Sequence, residues 1–183
     1  MAGPAVDGWR GRLETFGGLM LAGQVGLVST RGWVGRLVQL VTRSAFNHSV
    51  VAINEHECVS AEPGGAVIRP ISYYQHDFVA WSKFNLTAEQ RDSITLWAFD
   101  HVGVEYDSVG FAAIAVTKLL GPFAPRWLLR YVGAHDRLIC SYLCDLAIQA
   151  GGIHLFQDHR PEGVVTPASF GKVYKARGWS DRA

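Results

Sequence analysis

The chain has no surplus of either charge. Its 17 lysines and arginines are set against 16 aspartates and glutamates, a net charge of +1. No basic run stands out, so nucleic acid is not an implied partner. Cysteine is scarce, with three in 183 residues. An odd number in a chain of this size is no disulfide framework, and reduced thiols are expected. Cys140 and Cys144 have no CxxC pair or matched histidine spacing beside them, which argues against a structural zinc site. A phosphate-cradling loop is missing too, because Gly64-Gly65 lacks a following Lys-Ser/Thr. No apolar run reaches the roughly 18 residues a spanning helix needs. The nearest, Val109 to Leu120, is interrupted by Thr117 and Lys118. Arg10 and Arg12 are followed by Glu14 and glycines rather than an apolar core, so no signal peptide is predicted and a cytoplasmic chain is expected.

What is present suits one domain with a real core. Residues 1–22 read as a weakly structured arm and 23–183 as the folded domain. Apolar and β-branched runs predict strands at Gln24–Ser29, His48–Ile53, Cys58–Glu62, Ala66–Arg69 and Phe78–Phe84. Trp33, Leu37, Leu40 and Val41 fall on one face of a helix over Gly32–Arg43. Thr87 and Gln90 form a capping box opening a helix to about Val102, with Ile94, Trp97 and Ala98 inward and Gly103 as the stop. Thr166-Pro167 opens a last short helix. Strands first and helices after indicate an α+β domain around a mostly antiparallel sheet.

The chemistry centres on one late helix. Ile139, Leu143, Leu146, Ala147 and Ala150 recur at helical spacing, and Gly151-Gly152 is a stop signal. Cys140 therefore falls in the first turn of a buried helix, where unpaired N–H groups and the macrodipole favour a thiolate. The plainer alternative is a buried cysteine acting as a small hydrophobe. A nucleophile needs a base, and the base needs an orienting group. Of seven histidines, His48 is best placed, at a strand start that can face a helix N-terminus. Glu62 ends the antiparallel partner strand and can be brought near it. Their alternatives are an ordinary core or surface histidine and an exposed turn carboxylate.

The ordered set resembles the circularly permuted branch of the NlpC/P60 superfamily, papain-like cysteine hydrolases of bacteria and phages. Gly23-Gln-Val-Gly-Leu-Val28 and Phe46-Asn-His48-Ser-Val-Val-Ala-Ile53 resemble its opening strand and its histidine-led strand. Val59-Ser-Ala-Glu62-Pro-Gly-Gly-Ala-Val67 is similar to its acidic strand. Gly103-Val-Glu-Tyr106-Asp107 resembles its Gly-x-x-Tyr-Asp signature, Ile139-Cys140-Ser141 its nucleophile step, and Thr166-Pro167 its closing element. The apolar insertion Val109 to Tyr131 is longer than the family pattern.

The resemblance implies a permuted papain-like fold with an antiparallel sheet or barrel packed on helices. It makes Cys140 the nucleophile, His48 the general base and Glu62 the orienting residue. The Cys140 N–H would form part of an oxyanion hole, Tyr106 would add a donor or line the pocket, and no metal or organic cofactor is implied. The substrate class it implies first is peptide amides such as cell-wall stem peptides. The alternatives are a lipid-directed acyl hydrolase or acyltransferase, with Phe111–Leu120 contacting lipid, and a non-enzymatic binding or assembly module. A charged groove would favour stem peptides and an apolar one acyl chains. A cell-wall enzyme without a leader would be released or phage-associated. Oligomeric state is left open.

Overall fold

The structure is a computed structural model that describes residues 21–31, 33–62, 64–104, 125, 140–156 and 165–182. It is an α+β arrangement. The strands β1 (Val25–Ser29), β2 (His48–Ala52), β3 (Glu57–Glu62), β4 (Gly65–Pro70) and β5 (Phe78–Trp81) form one open antiparallel sheet in the order β4-β3-β2-β1-β5. Four helices accompany it among the described residues: α1 (Trp33–Thr42), α2 (Ala88–Asp100), α3 (Cys140–Ala150) and α4 (Pro167–Ala176). A 3-10 turn, Ile71–Tyr74, follows β4.

Register sets which side chains share a face. Val28 pairs with His48, Leu27 with Ser49 and Val25 with Val51. Val50 pairs with Ser60 across β2 and β3. Because alternate strand residues point to opposite faces, Val25, Leu27, Ser49, Val51, Val59 and Ala61 lie on one side. Their apolar members are packed with Ile94 and Ala98 of α2, Cys140, Leu143, Cys144, Ala147 and Ile148 of α3, and Phe170 and Tyr174 of α4. Val28, Val50 and Cys58 point the other way and form a smaller cluster with Tyr74.

The helix signals were chemical and local, and the structure keeps them. Thr87 accepts from the Gln90 N–H, and the Gln90 side chain returns to the Thr87 N–H, closing the capping box of α2. Thr166 caps α4 with Pro167 in its first turn. Gly152 ends α3 with φ 76°, a conformation glycine adopts without Cβ strain. The start of α3 is anchored by Ser141 Oγ, which donates to the Val165 carbonyl at 2.6 Å.

Two expectations change. Leu40 of α1 is 73% exposed rather than inward. The face that α1 turns to the sheet carries Gly35 and Gln39. A Cβ at Gly35 would lie 2.5 Å from Asn47 Nδ2, and Gln39 Nε2 donates to Ser29 Oγ and the Ala45 carbonyl. The strand predicted to Phe84 ends at Trp81. Beyond it, Ser82 still exchanges hydrogen bonds with Val25 of β1, but the Ser82 hydroxyl and the Phe84 backbone turn to the buried side chain of Gln24. The arm up to residue 20 and the 109–131 insertion, Pro125 apart, lie outside the described residues.

Candidate active site

The start of β2 carries the site. His48 projects onto the face of Val50 and Tyr74, and its ring centroid lies 6.1 Å from that of Tyr74. Its Nε2 is 2.9 Å from Ser60 Oγ and 3.5 Å from the Tyr74 hydroxyl. Tyr74 donates to Ser60 Oγ at 3.0 Å. The Ser60 hydroxyl has one proton and two lone pairs. It accepts from Tyr74, and its nearness helps to hold the Glu62 carboxyl acidic. Its remaining capacity meets His48 Nε2, and which of the two carries the shared proton depends on the ring tautomer.

Glu62 does not bond His48 directly. Its carboxylate is gripped by Arg69, whose Nε and Nη2 donate to its two oxygens at 3.0 and 2.6 Å. That pair, more than anything else, keeps Glu62 below the usual carboxylate range against the opposing effect of burial. The sequence placed Glu62 as the direct orienting partner. The structure puts Ser60 in that position, with Glu62 acting on the ring by its charge. Burial pushes the His48 pKa down to about 4, and the nearby Glu62 charge opposes this only in part. At neutral pH the imidazole is therefore uncharged.

Cys140 begins α3 and meets β2 from the other side. Its side chain is 2% exposed and packs in the main core. Burial pushes its thiol up, outweighing the help of the Ser49 side chain, of the Ser49 backbone and of the N–H groups at the helix start. Cys144, one turn on, is pushed up further by the same cause. The expected thiolate is not what this environment favours, because desolvation penalises the charged form more than the helix start stabilises it. Ser49 Oγ is fully buried between these groups and makes no hydrogen bond of ordinary geometry.

The structure thus brings His48 and Glu62 to one face, linked through Ser60, and Cys140 to the same strand end on the opposite face. Among the described residues no hydrogen bond joins Cys140 to His48. Tyr106 and Phe111–Leu120 lie outside the described residues. Just before Tyr106, Val104 and Gly103 pair with Ala66 on the edge of β4, which sets the start of the Gly103-to-Asp107 stretch beside the sheet. No cluster of three or more His, Cys, Asp or Glu side chains suited to a metal occurs among the described residues.

Sequence reasoning missed Ser60, Tyr74 and Arg69. A signal for Ser60 existed: Cys58, Ser60 and Glu62 alternate along β3, so a polar hydroxyl two residues before Glu62 must share its face. Tyr74 and Arg69 had none, since their contacts depend on how the chain returns after β4.

No protein-family model matches the chain, and no curated protein matches it in sequence.

Proposed function

We propose that the chain is a cysteine hydrolase, an amidase or endopeptidase of the circularly permuted NlpC/P60, papain-like type, acting on peptide amides such as cell-wall stem peptides. The observation that carries this reading is the ordered line Glu62–Ser60–His48 at the strand end where the Cys140 helix begins. An imidazole that is neutral and held at Nε2 leaves Nδ1 to take a proton, and the nearby Glu62 charge supports the imidazolium that forms against the opposing effect of burial.

In the reaction, Nδ1 takes the thiol proton as Cys140 sulfur attacks the carbonyl carbon. The C–N bond then breaks, and the imidazolium returns the proton to the leaving amine. Water, deprotonated by the same nitrogen, resolves the thioester to an acid and the free thiol. The Cys140 N–H, unpaired within the helix, supports the oxyanion. His48 and Cys140 stand on opposite faces at the same strand end, so this chemistry requires the start of β2 to rearrange and turn the ring toward the helix start when substrate binds.

A second reading, a non-enzymatic binding module, is favoured by the buried, neutral Cys140 that no hydrogen bond joins to His48. The lipid-directed alternative rests on Phe111–Leu120, outside the described residues.

Quenched single-turnover mass spectrometry with stem-type peptides separates the first two. The hydrolase reading expects an acyl adduct on Cys140 that is absent in His48→Ala. Folded wild-type protein that neither cleaves nor acylates, with Cys140 no more reactive than Cys58 and Cys144 throughout, would leave the binding module.

A further inference from the structure

A cavity of about 660 Å³ opens between α1, the end of β1 and the start of β5. That size suits a peptide segment or small ligand. Its chemistry is one-sided: Arg31, Arg36, Arg182 and His76 line it against the single carboxylate of Asp77, and Phe78 is the one apolar side chain on the described wall. None of the three arginines is in an ion pair among the described residues; the pair there is Arg69 with Glu62. Asp77 instead accepts the Arg31 backbone N–H at 3.2 Å. The Arg182 guanidinium lies over the Phe78 ring, 3.9 Å from its centroid, which stations that charge at the cavity.

The cavity sits at the candidate catalytic end of the sheet. Ser29 on its floor directly follows Val28, the strand partner of His48. Thr30 donates from its N–H and its hydroxyl to Asn47 Oδ1, at 2.9 and 3.0 Å, and Asn47 is the residue before His48. Ser29 shares a face with Leu27, the partner of Ser49, so it stands on the Cys140 side of the sheet. By strand spacing it lies about 8 Å from Ser49, less than the length of an extended tripeptide.

We propose that this cavity holds a carboxylate of the peptide whose amide is presented to Cys140, making the protein selective for acidic peptides. The inference rests on the hydrolase reading and names its substrate class. Three cationic groups in no ion pair among the described residues repel one another, and an anion relieves that repulsion. Guanidinium forks match a carboxylate in shape as well as charge. An acyl chain would find one ring and otherwise polar walls.

The test is calorimetric binding to the full chain carrying Cys140→Ala, so that turnover does not interfere. The probes are an acetylated alanyl-glutamyl-lysyl-alanine tetrapeptide with free carboxylates, the same peptide with its carboxylates as carboxamides, and inorganic phosphate. The acid form is expected to bind at least about tenfold more tightly than the amide form. Arg36→Gln and Arg31→Gln should each erase most of that preference, and Arg177→Gln, away from the cavity, should not. Equal affinity for acid and amide, or a preference indifferent to Arg31 and Arg36, overturns the proposal. So does phosphate binding more tightly than the acid peptide and displacing it, which would make the cavity a phosphate site. Parallel cleavage assays on wild type keep the two readings apart. Selective binding without cleavage spares the cavity and removes the hydrolase; cleavage indifferent to the carboxylate does the reverse.

Discussion

Ser60 Oγ stands 2.9 Å from His48 Nε2, while Glu62 acts on the ring by its charge. The hydroxyl, not the carboxylate, is the group that touches the ring. Ser60→Ala should lower kcat about tenfold with KM little changed, because orientation rather than binding is lost. Glu62→Gln should cost about as much, and the double variant little more than either, since both act on one ring. Steady-state kinetics on the three variants checks this; fully additive losses would mean separate roles.

On the hydrolase reading His48→Ala removes the general base and should cost about 10²–10⁴ in kcat. Cys140→Ala should abolish turnover while the melting temperature stays within a few degrees, because a buried thiol gives way to a side chain of similar size. Cys144→Ala, equally buried, should leave activity near wild type. Activity surviving in Cys140→Ala would end the mechanism.

The depressed pKa of His48 makes stability depend on pH. The unfolded ring binds a proton below about 6.5, while the folded one stays neutral to about 4. Between those values the unfolded state holds more protons, so stability falls as pH falls. His48 keeps part of its surface accessible, so the loss is best set at ~2 kcal/mol rather than the full shift. Urea unfolding at pH 7.5 and pH 4.5 should show this loss in wild type and most of it missing in His48→Gln. The Glu62 carboxylate adds its own loss at lower pH, as acid protonates it and releases Arg69.

Burial also predicts slow chemistry at Cys140 in the ligand-free protein. Iodoacetamide labelling, followed by peptide mass spectrometry, should show Cys140 reacting no faster than Cys58 near pH 7. All three thiols should label at once in 6 M urea, a concentration on the order of that which unfolds small domains. Rapid labelling of Cys140 at neutral pH would instead mean that the helix start outweighs desolvation.

Gly35 is the close-approach point of α1. An added Cβ would meet Asn47 Nδ2 at 2.5 Å and the Thr30 carbonyl at 2.8 Å. Gly35→Ala should cost about 1–3 kcal/mol by overpacking and weaken acid-peptide binding, since the contacts displaced join the cavity to the residue before His48. Thermal unfolding and calorimetry on the same variant measure both.

Much of this was legible in the residues. Apolar and β-branched runs placed the five strands within a few residues, and caps and stops placed the starts of α2 and α4 and the end of α3, because those signals act over one turn of chain. The ordered residues His48, Glu62 and Cys140 were visible as candidates for the same reason: each stands at an element's start or end. What the sequence did not reveal depends on register and on which face packs. A one-residue difference in strand register moves a side chain across the sheet, so local pattern alone left open that His48 and Cys140 approach β2 from opposite sides. The same holds for Ser60 standing between His48 and Glu62, and for Arg31, Arg36 and Arg182 meeting around one cavity from separate parts of the chain. The sequence by itself determined the elements, most of their ends and the candidate groups, since hydrophobic period and capping are local. Only the tertiary structure decided which of those groups touch and whether Cys140 is charged, because contact and desolvation belong to the packed whole.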